Sequence, residues 1–530
     1  MSSRIDEKKI DPEINEHGVV QHETLDDKQL LAASYEAETR ESQMGVWEAM
    51  KAHPMACFWA FIFCFTIVME SFDMFLTGNF VALTAFKERY GVLLADGHTK
   101  AIETKWQSSL FQAGQCGAFV GVFLAGPITN RVGYRWCTIL ALALMVVTIF
   151  ISFFAQSLEV LVIGQAFEGV PWGMFIANSP AYASEIVPVA LRGVCTATIQ
   201  MSWSIGGIIV AAATLGFNSR LDEWAWRGPL ALQWIFPVPL LAIIFFAPES
   251  PWWLVRHGKK EQALRSIKRL GPQASADETL AMIERTVEIE AHIEGNPSLL
   301  DLVKGVDLRR TVIVCLIYAS QNFAGNLIAN QSTFFFEQAG MSTTFSFKLS
   351  LINSCLGVVA NILSWPLSAY FGRRTIYLGG SLINMTLLIM LGICATIKQT
   401  SSTNYAQACL GVIISFVFAG SLGPISYSII SETSSIRLRP LSTGVGRAAY
   451  YVAEIPMIYL ASQMLNPTGW NMAGKCGYVW GGTAFVCLVS AYFGLPEMKG
   501  RSYRELDILF KRKVSARKFK STTIAVDENE

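Results

Sequence analysis

Charge is what this chain has least of: 16% of its 530 residues are Asp, Glu, Lys or Arg, where a soluble protein carries about 25%. A soluble protein of this length needs several domains, each with a solvated polar surface, and the composition does not supply one. Paired cysteine spacing is missing as well. Most of the 11 cysteines (Cys57, Cys64, Cys116, Cys137, Cys315, Cys355, Cys409, Cys487) sit inside apolar runs, so free thiols are expected rather than a zinc site or a disulfide framework. No nucleotide-cradling glycine loop or nucleophile elbow occurs, so neither enzyme chemistry nor a bound cofactor is expected. Residues 1–53 carry 12 acidic against 6 basic residues and no apolar core before a small-residue cleavage site, so no signal peptide is expected and the first apolar segment acts as its own insertion signal. The formal net charge of +1 excludes nothing further.

What is present is apolar. Hydrophobic residues make up 52% of the chain, with 33 Phe and 14 Trp, and the mean hydropathy is +0.38. Such a chain suits lipid as its solvent, which disfavours a soluble enzyme, a disordered regulator and a nucleic-acid binder. A membrane span needs about 20 apolar residues. Twelve windows qualify, near 57–83, 106–129, 136–155, 158–183, 194–217, 229–248, 309–336, 346–370, 374–397, 405–431, 441–465 and 476–495. The expected fold is therefore an all-α polytopic membrane protein. Its parts are a tail over 1–53, a six-helix half over 54–250, a helical linker over 251–306, a second six-helix half over 307–497 and a tail over 498–530.

Short-loop basic residues are retained on the cytoplasmic side. Arg131, Arg135, Arg192, Arg373, Arg374, Arg437 and Arg439 all follow even-numbered windows, on the side of the linker and of Lys511, Arg512 and Lys513. Both termini are therefore expected inside. The halves also repeat: Glu185 and Arg192 lie 247 residues before Glu432 and Arg439, Gly133 and Arg135 lie 239 before Gly372 and Arg374, and Pro248 lies 248 before Pro496. Parallel repeats about the membrane normal bind substrate between the halves near the midplane.

PESPWWL (248–254), PEMKGRSYRELDILF (496–510), YFGRR and Gln200 give the chain a resemblance to the sugar porters of the major facilitator superfamily. Within that family GVPWGMF (169–175), YASEIVPVALRG (182–193), ALQWIFPVPL, STFFFEQAG (332–340) and MLNPTGWN (464–471) make it most similar to the fungal maltose and general α-glucoside permeases. The resemblance covers about 57–510. It implies a plasma-membrane symporter that moves an α-glucoside such as maltose inward with a proton by alternating access. The expected partners are a small sugar, a proton and membrane lipid, with no nucleic acid, and the working unit is a monomer. A carrier for another sugar, polyol, glycoside or secreted metabolite is the alternative, and a non-transporting sugar sensor is a further one.

Glu70 and Asp73 lie three residues apart, on one face of the first helix. Carboxylates at the bilayer centre cost about 2.5 to 3.5 kcal/mol each, so they mark a function unless they reach the aqueous end. The resemblance matches Asp73 to the acid of sugar–proton symporters and Arg447 to an arginine of the eleventh helix, so Asp73, Glu70 and Arg447 are the proton-coupling candidates. Ala118 stands where those permeases place a glutamate. Glu168 and Glu454 either compensate for that loss or face a vestibule. Sugar hydroxyls both donate and accept, which suits amides backed by aromatic faces. The resemblance carries substrate binding to Gln200, Gln321, Asn322, Asn326, Tyr427 and Tyr450. It also makes Arg135, Glu185, Arg192, Arg374, Glu432 and Arg439 a cytoplasmic gate that ties the halves together, the alternative being that the arginines only set topology.

Overall fold

The computed structural model describes residues 46–94, 98–272, 276–293, 299–325, 330–435, 438–499, 501 and 503–522. The chain folds into helices packed side by side. The first half comprises α1 (Pro54–Phe80), α2 (Thr104–Val132), α3 (Tyr134–Phe153), α4 (Leu158–Ile186), α5 (Val189–Phe217) and α6 (Trp224–Ile244). The second comprises α7 in two pieces (Gly305–Phe323 and Ser332–Gln338), α8 (Thr343–Tyr370), α9 (Arg373–Thr396), α10 (Ser401–Thr433), α11 (Arg439–Leu465) and α12 (Cys476–Gly494). At 1.5 Å per residue, the 27 residues of α1 cover about 40 Å, enough to cross a bilayer. Ten of the described helices are long and apolar enough to span a membrane. The other two of the twelve are α7, which is interrupted, and α11, which carries Arg447, Glu454 and Gln463. Outward-facing Phe123, Phe150, Phe246 and Phe493 are exposed, as lipid contact requires and water does not favour.

Small residues set the closest crossing. A Cβ on Gly117 would sit 2.1 Å from the Ala166 carbonyl oxygen, and one on Gly121 2.0 Å from that of Val170, so α2 and α4 touch backbone to backbone. Ala118 lies fully buried in this seam, where a side chain as long as glutamate has no room. Two helices depart from regular geometry. α6 passes through a 3-10 turn at Gln233–Ile235 before Pro237, and α10 widens into a π turn at Phe418–Leu422; such turns recur at functional positions. Between the halves, the short helices Pro251–Arg256, Lys260–Leu270 and Ala276–Ile293 close around Trp253, Leu254, Ala263, Ile267 and Ile283. At the opposite end of the bundle, Val92–Leu93 and Lys100–Ala101 form a short antiparallel ladder.

The internal repeat is built into the geometry at the linker end. Glu249 accepts the backbone N–H groups of Tyr134 at 3.0 Å and Arg135 at 3.2 Å, at the N-terminus of α3. Glu497 accepts that of Arg373 at 2.9 Å, at the N-terminus of α9. Each carboxylate thus caps a helix start, where unpaired donors and the helix dipole favour a negative group. The glycine before each helix makes the space: a Cβ would lie 2.4 Å from a Glu249 oxygen at Gly133 and 2.0 Å from one of Glu497 at Gly372.

Candidate sugar and proton site

A cavity of about 110 Å³ opens between α1, α5, α7, α8, α10 and α11, and Gln200, Gln321, Tyr427 and Tyr450 all line it. The sequence reading missed Phe75, Trp203, Asn330 and Asn353, which line it too. Trp203 and Phe75 meet edge to face at 6.3 Å. Their signal was only an aromatic on a helix already chosen for another residue, Trp203 on that of Gln200 and Phe75 on that of Asp73. Among the described residues of the wall, four buried polar atoms have no hydrogen-bond partner in the protein: Gln321 Nε2, Trp203 Nε1, Asn353 Oδ1 and Arg447 Nε. An orphaned buried polar group costs about 1 to 3 kcal/mol, so a wall that carries three such donors and an acceptor favours a ligand with hydroxyls. Gly423 of α10 leaves room for the Gln200 amide, which a Cβ there would meet at 3.2 Å. Asn322 is fully buried and donates to the Tyr450 carbonyl at 3.2 Å, so it holds the wall instead of lining it. Asn326 lies outside the described residues, as do the side chains of Arg192 and Arg439.

Beside the cavity, Arg447 is 6% exposed. Its Nη2 lies 3.7 Å from Glu70 Oε1 and donates to the Tyr451 hydroxyl at 3.3 Å, and the guanidinium rests over the Tyr450 ring at 4.4 Å. Tyr450 donates in turn to Glu454 Oε1 at 3.2 Å. Arg447 therefore links an acid of α1 to one of α11 across the two halves. Asp73, one turn from Glu70, points into the first half. It accepts from Gln165 Nε2 at 3.3 Å and Gln233 Nε2 at 2.5 Å, beside the buried Glu168. The 3-10 turn in α6 is what delivers Gln233 to this place. Neither Glu168 nor Glu454 faces a vestibule: both are fully buried.

Among the described residues, the two acids at the linker end pair with the linker or within their own half, not across the halves. Glu185 receives Arg256 at 3.3 Å, Tyr134 at 3.1 Å and the Ser250 hydroxyl. Glu432 receives Arg373 at 3.0 Å, so the arginine next to the expected Arg374 takes this role. Arg135 and Arg374 reach instead the carbonyls of Phe245 at 2.5 Å and Tyr492 at 2.7 Å. At the opposite end the halves join directly. Lys87 meets Glu337, Thr104 meets Thr468, Thr333 donates to Asn79 at 2.7 Å, and Asn466 reaches Gln107.

A bundle of two six-helix repeats with a polar cavity between them is the architecture of a membrane transporter of the major facilitator type. The chain belongs to the sugar transporter family: the family model "Sugar (and other) transporter" matches residues 59–510. It is 35% identical over 498 residues to the maltose permease MAL31 of Saccharomyces cerevisiae, covering 92% of this chain and 81% of that protein. A general alpha-glucoside permease of the same yeast is 34% identical over 92% of this chain and 80% of its own length. Among solved structures, the proton:xylose symporter XylE bound to 6-bromo-6-deoxy-D-glucose superimposes with a TM-score of 0.67 at 21% identity, over 85% of this chain and 99% of that one. The partially occluded inward open form of XylE from E. coli gives 0.66 at 19% identity, over 83% and 99%. The chain is thus a multi-pass membrane transporter, not an enzyme, and its fold is that of the major facilitator sugar carriers.

Proposed function

We propose that this transporter carries an α-glucoside of maltose type into the cell together with a proton, in the plasma membrane and as a monomer, with the linker and both termini cytoplasmic. The observation that carries the reading is the set of orphaned polar atoms on Gln321, Trp203 and Asn353 around a cavity walled by aromatic rings. Amides supply both donor and acceptor to a hydroxyl, and the rings suit the C–H face of a pyranose. The names of the yeast relatives point to maltose and other α-glucosides. The coupling reading rests on Asp73, Glu70 and Arg447, ionisable groups buried at membrane depth that a passive sugar pore would not need. A 100 mV potential contributes about 2.3 kcal/mol per proton, roughly fifty-fold accumulation. Labelled maltose should therefore concentrate in cells expressing the protein while the medium turns alkaline. Entry that stops at equal concentrations overturns symport. Competition by free glucose or another monosaccharide but not by maltose, trehalose or sucrose overturns the substrate class.

A further inference from the structure

Asp73 of α1 and Glu168 of α4 bring two carboxyl groups to one shared amide, both with 0% exposure. Among the described residues, the side chains that donate to them are all neutral. Gln165 Nε2 bridges the pair, at 3.3 Å from Asp73 Oδ1 and 3.0 Å from Glu168 Oε2. Its own carbonyl accepts from Thr77 at 3.0 Å, which fixes the amide with its NH₂ toward the acids. Gln233 of α6 donates to Asp73 Oδ1 and Ser152 of α3 to Glu168 Oε1, each at 2.5 Å. The guanidinium of Arg447 is engaged with Glu70. Each acid is thus the other's charged neighbour, and α3, α4 and α6 present only hydroxyls and amides to them.

Two buried carboxylates that share one amide donor and have no cation beside them do not both ionise, so the pair keeps a proton. The neutral donors suit the form with a single shared proton and a net charge of −1. Binding of a second proton makes the pair neutral, which removes the charge that opposes movement through a low-dielectric interior. Proton gain and loss here changes the site by one charge: one carboxyl O–H bond forms on uptake and breaks on release, with the proton passing to and from water.

We propose that Glu168 is the second half of the proton site: Asp73 and Glu168 share one resident proton, and the proton taken up with sugar is the second, accepted from the outer water and released to the inner. This rests on the symport reading above and adds a residue to it. Glu70 differs because a buried cation already compensates it.

The test uses the full-length protein in proteoliposomes with labelled sugar and imposed pH gradients. Glu168→Gln should retain exchange of labelled for unlabelled sugar, lose accumulation so that the inside-to-outside ratio falls to about one, and lose the dependence of uptake on pH between about 5 and 8. Ser152→Ala removes one hydrogen bond to the charged form and should still accumulate sugar, with the alkaline limb of its pH profile moved up by about one unit. A Glu168→Gln protein that accumulates sugar with the wild-type pH profile overturns the proposal. So does one that loses exchange together with accumulation, since that marks Glu168 as a structural pin. If Glu168→Gln does not reach the membrane, an unshifted profile for Ser152→Ala overturns it. Wild-type protein that does not accumulate sugar overturns the symport reading itself, a distinct result.

Discussion

Lys87 Nζ lies 2.5 Å from Glu337 Oε1, an ion pair between the short helix Thr84–Tyr90 that follows α1 and the second piece of α7, at the end of the bundle away from the linker. The two side chains are 16% and 17% exposed, so water screens the pair little. It is the charged part of a seal otherwise made of hydroxyls and amides.

Lys87→Ala should release that seal. Losing a pair of this kind, worth about 1 kcal/mol, shifts the balance between the two access states about fivefold toward the one open at that end. A cysteine placed at Ser350, on the cavity wall, should label faster from the side of the membrane that Lys87 faces, and the swapped pair Lys87→Glu/Glu337→Lys should restore the slow rate. An unchanged labelling rate in Lys87→Ala counts against the seal.

Gln321→Ala and Gln200→Ala should raise the KM for sugar roughly tenfold with normal amounts of protein at the membrane. Each removes donor and acceptor contacts to hydroxyls at about 0.5 to 1.5 kcal/mol apiece. Initial-rate uptake over a range of sugar concentrations measures this, and unchanged kinetics in both variants moves the sugar elsewhere.

Arg447→Ala should destabilise the folded protein by about 3 to 5 kcal/mol, because Glu70 is left buried without its cation. Adding Glu70→Gln should recover much of that loss. Thermal unfolding in detergent compares the two, and a double variant no more stable than the single one shows that the pair is not coupled.

Glu249 lies between α6 and the linker helices, and burial pushes its carboxyl up to about 7. The folded state therefore binds this proton more tightly than the unfolded chain. The associated stability is full below the ordinary carboxylate range, near 4.5, and fades as pH rises through about 7. Thermal stability should fall between pH 5 and 8 more steeply in the wild type than in Glu249→Gln, and equal slopes would assign the pH dependence to other groups.

The architecture was legible where chemistry is repetitive. The twelve apolar windows match helices to within a few residues, apart from starts five residues earlier for α5 and α6, because the hydrophobic length of a bilayer is a one-dimensional constraint. The seventh window reads as one run in the sequence, yet it divides into Gly305–Phe323 and Ser332–Gln338. Hydropathy does not register a break that is satisfied by neighbouring helices. Gln200, Gln321, Tyr427 and Tyr450 reach one cavity because the motifs that carried them fix their helix faces. Trp203 and Asn353 were not legible, since only the crossing of α5 and α8 makes them face each other across that space. The meeting of Asp73 with Gln233 depends on a single 3-10 turn, a detail below the resolution of any periodicity. The repeat of Glu185 and Glu432 was visible, but which arginine each would take was not. Arg373 and Arg374 are adjacent, and only the direction of α9 decides between them.

Because Glu185 keeps Arg256 of the linker and Glu432 keeps Arg373 of its own half, separation of the halves at the linker end strands neither carboxylate. Separation at the other end strands Lys87 and Glu337. Raising the ionic strength weakens the exposed charge contacts of the linker end most, because ions reach them, and leaves the closed Lys87–Glu337 pair nearly unscreened. That pair therefore holds its end shut in concentrated salt as in dilute, and the ionic strength of the medium on the Lys87 side is a weak lever on the carrier's access balance.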